Sequence, residues 1–292
     1  MSDVIKVEIF DERRCLLGEG PISYGDKNNS ISWVDILNKR VYSRTIDTGI
    51  TQELQTDDDV SFIIPRTDGG FILGTTYGPV SAGPDLKIPI LNHEGPHAMR
   101  FNDAKVSPDG DLWFGTMSYE ELPEVSGLYC LRSDDLTISK KLSQVSISNG
   151  TVWSSDKSTM YFIDSPTRSI WVFNYDGEDI SDKRLGIRFP DEFGFPDGMT
   201  IDAEGGLWVA FWMGSAVRRF DPANDFALTA TVVTPSKRTT SCVFGGENLD
   251  QLIITSSHSD DPQEPHEAGM TFICTPGFVG LPTEPFKVGT YN

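Results

Sequence analysis

The chain has 292 residues, 38% of them hydrophobic and 23% charged, a composition that suits a soluble globular protein with a sizeable core and excludes a disordered one. With 43 acidic against 24 basic residues the formal charge is −19, which repels phosphate backbones and anionic lipid, so neither nucleic acid nor a membrane is expected as a partner. The opening MSDVIKVEIF lacks a basic leader with a long apolar run, and no stretch reaches the roughly 18 apolar residues of a membrane span, so a cytoplasmic location is expected.

In chain order, the alternation Ile5, Val7, Ile9 predicts a first half-buried strand. Then come ISWVD (31–35) with a partner at 40–43, FILGT (71–75), and DGDLWFGT (109–116) with a partner at 127–130. MYFID (160–164) with 169–173, EGGLWVAF (204–211) with 217–220, LIITS (252–256) and a last strand at 270–273 complete the series. Most of these runs follow a Gly, Asp or Asn turn, the signature of a strand leaving a tight turn. The fifth residue of each apolar run falls at 35, 75, 116, 164, 211 and 256, a period of 40 to 48 residues. Such a repeat predicts an all-β fold, a six-bladed β-propeller with four-stranded blades around a central channel. One domain over residues 1–292 is expected, its ring closed by the N-terminal strand pairing with the last blade, which hides a sheet edge.

In a propeller, residues at one offset in successive blades converge on the axis. Glu19, Asn102, Asn149 and Asp197 lie 14 to 16 residues before their markers, and the same slot in the other two repeats falls near Ser61 and Cys242. Each of the four taken alone reads as a turn residue, in contexts such as Ser148-Asn149-Gly150 and Pro196-Asp197-Gly198. Their shared offset points instead to a cluster of hard oxygen donors suited to a divalent cation.

Other motifs lead nowhere. His93-Glu94-Gly95-Pro96-His97 matches the H-E-x-x-H zinc pattern, but Gly-Pro forbids the helix that would put both histidines on one face. The acidic loop HSDDPQEPHEAG, with His258 and His266, reads as solvated and near a channel mouth. The four cysteines form no C-x-x-C pair and read as buried thiols, and no nucleotide, dinucleotide or serine-hydrolase fingerprint is present.

LGEGP, RFNDAKVSPDGDLWFGTM, SNG, PDGMTIDAEGGLWVA and TSCVFGG, in this order, resemble the senescence marker protein, gluconolactonase and luciferin-regenerating enzyme family, from about Leu17 onward. The resemblance implies a metal-dependent lactonase that opens a sugar lactone such as gluconolactone, xylonolactone or arabinonolactone to its aldonic acid. It implies Glu19, Asn149 and Asp197 as ligands of one divalent metal ion (calcium, zinc, manganese, magnesium or iron(II)), with Asp197 also the catalytic base or acid. Arg100 and Asn102 would hold substrate oxygens, and Glu120 or Glu121 would supply an acid on a lid. Ser23 stands where the family often has Trp, and Thr151 where an aliphatic residue is usual, departures expected to reshape the pocket. An aryl-ester or organophosphate hydrolase and a non-catalytic calcium-binding propeller are the alternative readings.

Overall fold

A computed structural model describes residues 4–84, 86–89, 91 and 97–289, and among these the fold is all-β. His93, Glu94 and Pro96 of the H-E-x-x-H match lie outside the described residues. Two short strands, β1 (Val4–Lys6) and β2 (Glu8–Asp11), precede a series of antiparallel meanders. The first comprises β3 (Gly18–Tyr24), β4 (Ser30–Asp35), β5 (Arg40–Thr45) and β6 (Thr51–Gln55), and the second β7 (Val60–Pro65), β8 (Phe71–Thr75) and β9 (Gly78–Ala82). The third is β10 (Met99–Val106), β11 (Leu112–Ser118), β12 (Ser126–Leu131) and β13 (Ile138–Val145). The fourth is β14 (Ser148–Trp153), β15 (Thr159–Asp164), β16 (Ser169–Tyr175) and β17 (Ile180–Arg188). The remaining strands are β18 (Phe195–Ile201), β19 (Leu207–Trp212), β20 (Ala216–Asp221), β21 (Ala227–Val233), β22 (Arg238–Gly245), β23 (Gln251–Ser257) and β24 (Thr271–Cys274). With β1 and β2 they form one nine-stranded network, in which β18–β21 and β22–β24 are separate meanders joined through the pair Trp212–Arg238. β2 pairs antiparallel with β24, and β1 runs parallel beside β21, so the start of the chain is bound to its last meanders.

The predicted apolar runs form β4, β8, β11, β15, β19 and β23, the second strand of each meander. Their tryptophans Trp33, Trp113 and Trp208 are fully buried between neighbouring sheets, where an aromatic side chain contributes the most buried apolar area. The first strands pack side by side in a closed cycle, β3 on β7, β7 on β10, β10 on β14, β14 on β18, β18 on β22 and β22 on β3.

Every strand of that cycle breaks register with its partner at the same place. The breaks fall between Glu19 and Ile22, Val60 and Ile63, Phe101 and Ala104, Ser148 and Thr151, Pro196 and Met199, and Thr239 and Ser241. A bulge bends a strand and re-aims its side chains, so the polar slot of the repeat is a ring of bulges rather than of turns. The slot in β22 therefore belongs to Thr240 and not to Cys242, because equal counting from the marker ignores where this bulge falls. Cys242 instead points its thiol at the carbonyl of Trp208, 3.5 Å away in the core. All four cysteines are buried free thiols.

The bulges are joined around the ring by hydrogen bonds. Ser61 donates to the carbonyl of Phe101 at 2.6 Å, and Asn102 donates to that of Ser148 at 2.8 Å. Asn149 donates to Ser165 at 2.8 Å, Ser165 donates to the carbonyl of Pro196 at 2.6 Å, and Thr240 donates to that of Gly18 at 2.5 Å. Gly150 lets the strands close in, since a Cβ there would lie 2.6 Å from Cβ of Met199 and 2.9 Å from the carbonyl of Asp197.

Candidate active site

Two aspartates of the repeat fix the chain where it enters the ring. The Asp35 carboxylate, at the end of β4, accepts the N–H groups of Leu16 and Leu17 at 3.1 and 3.0 Å, just before Glu19. Asp164, at the end of β15, accepts those of Ser146 and Ile147 at 3.0 to 3.2 Å, just before Asn149. Glu19, Arg100, Asn102, Glu121, Asn149 and Asp197 all line one cavity of about 250 Å³ at this end of the ring. Both lid acids are exposed; Glu121 is among the lining residues and Glu120 is not. Glu121 sits at φ 53°, in the turn after β11 that its own N–H closes onto the carbonyl of Ser118.

Glu19 and Asp197 are both buried. Burial pushes the Glu19 carboxyl up to about 8, with the charge of Asp103 adding to the shift and the Gly20 N–H and Arg100 opposing it. Asp197 is raised well above the usual carboxylate range by burial, then by the charges of Glu19 and Asp103. Asp103, next to Asn102 on β10, is itself raised by burial. The single guanidinium among them, Arg100, is pulled down by its own burial. Glu19 and Asp197 crowd against Arg100, with Asp103 nearby and partly offset by Lys105, and such a site disfavours its own full ionisation and favours an added cation.

The donor chemistry fits a divalent ion. Asn149 commits its amide nitrogen to Ser165, and its oxygen accepts from Asn102 at 3.0 Å, so an oriented carbonyl stands with the two carboxylates. Among the described residues no group of three His, Cys, Asp or Glu side chains could hold a metal ion, so the Asn149 oxygen would have to complete the set with the two carboxylates. Asn102 already bonds within the protein: its oxygen accepts from Arg100 at 2.7 Å and its nitrogen serves Ser148 and Asn149. Arg100 spends one nitrogen on Asn102 and the Phe101 carbonyl and presents the rest of its guanidinium to the cavity.

Several features were not legible in the sequence. Phe195 and Trp212, direct cross-strand partners on β18 and β19, line the cavity beside Asp197. The acidic loop after β23 is anchored rather than free: Glu264 is buried and pairs with Arg238 at 2.6 Å, and Arg238 lies 5.5 Å from the Trp212 ring. The departures at Ser23 and Thr151 lie outside the cavity lining. Ser23 lies toward the other end of β3, with its hydroxyl 3.3 Å from that of Thr283, and Thr151 turns its hydroxyl to the carbonyl of Asn149; neither lines the cavity.

The family model described as "SMP-30/Gluconolactonase/LRE-like region" matches residues 17–258. Regucalcin of Gallus gallus is 35% identical, over 97% of this chain and 98% of its own length. The Bacillus subtilis protein named "Putative sugar lactone lactonase YvrE" is 34% identical, over 89% of this chain and 91% of its own. A solved structure of luciferin-regenerating enzyme superposes with a TM-score of 0.85 at 29% identity, covering 97% of this chain and 99% of that one. The match spans the strands that carry Glu19, Arg100, Asn149 and Asp197, and the chain belongs to the SMP-30/gluconolactonase/LRE-like family.

Proposed function

We propose that this chain is a hydrolase that opens a sugar lactone to its aldonic acid with the help of one divalent cation held by Glu19, Asn149 and Asp197. The observation that carries the reading is the pair of buried carboxyls, Glu19 and Asp197, beside an oriented amide oxygen, in a cavity that Arg100 also lines. When bound, such a cation supplies Lewis-acid polarisation of a carbonyl. The remaining work belongs to the chain. Arg100 donates hydrogen bonds to substrate oxygens, and Asn102 holds Arg100 and Asn149 in place through its two amide ends. Asp197 takes a proton from the attacking water and returns it to the ring oxygen as the ester bond breaks. Glu121 faces substrate hydroxyls from the rim. The YvrE name supports lactone as the substrate class. The closed cycle of first strands, with the nine-stranded network divided into its two meanders, supports six blades in a single closed domain.

The test is proton release from a panel of five- and six-membered aldonolactones by metal-stripped protein, before and after restoring calcium, manganese, magnesium, zinc or iron(II), with spontaneous opening subtracted. Hydrolysis restored by a metal supports the reading. No hydrolysis of any lactone with any metal refutes it.

A further inference from the structure

The cavity lining mixes polar and apolar side chains, and both of its aromatic rings come from one meander. Arg100, Asn102 and Glu121, with Met117, come from β10, β11 and the turn after β11, whereas Phe195 and Trp212, with Asp197, come from β18 and β19, and Pro166 from the turn after β15. The lining hydroxyl of Ser165 is already spent, donating to the Pro196 carbonyl and accepting from Asn149. Both rings are set in place before any ligand arrives. The Arg168 guanidinium lies 3.9 Å from the Phe195 ring centroid and is tied at 2.5 Å to the carbonyl of Gly194. Arg238, fixed by Glu264, backs Trp212. A wall held in this way loses little freedom on binding and discriminates by what it touches.

We propose that Phe195 and Trp212 are specificity-determining residues that select lactones bearing an apolar group, such as a methyl, where a fully oxygenated sugar lactone bears a hydroxyl: deoxyaldonolactones. This inference rests on the lactonase reading above. A methyl against the rings leaves water at a gain, whereas a hydroxyl held against two ring faces gives up its water to surfaces that cannot replace its hydrogen bond, a difference of roughly tenfold or more in binding.

The experiment compares a 6-deoxyhexono-1,4-lactone with the hexono-1,4-lactone of the same configuration, with kcat and KM measured separately for the wild type, Trp212→Ala and Trp212→Tyr. The wild type is expected to prefer the deoxy lactone about tenfold in kcat/KM, mainly through KM. Trp212→Ala is expected to lose most of that preference and Trp212→Tyr to recover it, a pattern that a merely structural role for the ring would not produce. Equal kcat/KM for the two lactones in the wild type, or a preference for the hydroxylated one, overturns the proposal and leaves the lactonase reading intact; it needs no variant to fold. Hydrolysis of neither these nor any other lactone overturns the lactonase reading, and the proposal with it.

Discussion

Burial and the surrounding carboxylate charge raise Glu19 and Asp197 above the ordinary carboxyl range, and that has a thermodynamic signature. With its folded-state value raised above the unfolded one, Glu19 contributes stability that is fully present below about pH 4.5 and is lost as pH rises through about 8. Metal-free protein is therefore expected to lose on the order of a few kcal/mol between pH 5 and 8, as read by urea denaturation. Glu19→Gln should flatten that slope, and an added divalent cation, which takes the place of the protons, should reverse it. Asp197→Asn is expected to lower kcat by about 10²–10⁴-fold as a lost general base, with the circular dichroism spectrum unchanged. Glu19, Asn102, Asn149 and Asp197 could be singled out in the sequence because they share an offset in the repeat. Asp103, Phe195 and Trp212 could not, since what they face depends on strands distant in the chain.

At the scale of the element, the bulge is the device that turns a strand residue into a site residue, and the aspartates ending β4 and β15 set where the bulged strands begin. Asp164→Ala would free the N–H groups of Ser146 and Ile147 and let Asn149 drift. The expected result is roughly 10–100-fold weaker metal binding, as for lost supporting hydrogen bonds around a ligand, measured by calorimetric titration against the wild type. The second strand of each meander was readable because an apolar run follows a Gly, Asp or Asn turn. The outermost strands were not: β6 is exposed at all five positions and β17 is largely exposed, so neither carries an apolar alternation. The slot assigned to Cys242 shows the limit of counting, since the position of a bulge is set by pairing geometry and not by spacing.

Across the whole molecule, the segment after β24 ties distant sheets together at the end of the ring away from the candidate site. The N–H of Gly280 bonds to the carbonyl of Leu249 and that of Ala203 to the carbonyl of Val279; Thr283 meets Ser23, and Phe286 pairs with Arg66. Phe286 is fully buried against Phe62, Ile64 and Val106. Phe286→Ala is therefore expected to cost about 3–5 kcal/mol of unfolding free energy, although the residue is far in sequence from every predicted strand but the last. On the proposed lactonase reading the product is a carboxylate, which the charge of −19 repels, so product inhibition should strengthen as salt is raised. The measurement that bears most directly on the account is a titration of metal-stripped protein with a divalent cation, following bound ion and lactone hydrolysis in the same samples, for the wild type and Asp197→Asn. The account predicts one ion per chain, activity that rises in step with occupancy, and loss of both in the variant. Full activity without metal, or binding unaffected by the substitution, would contradict it.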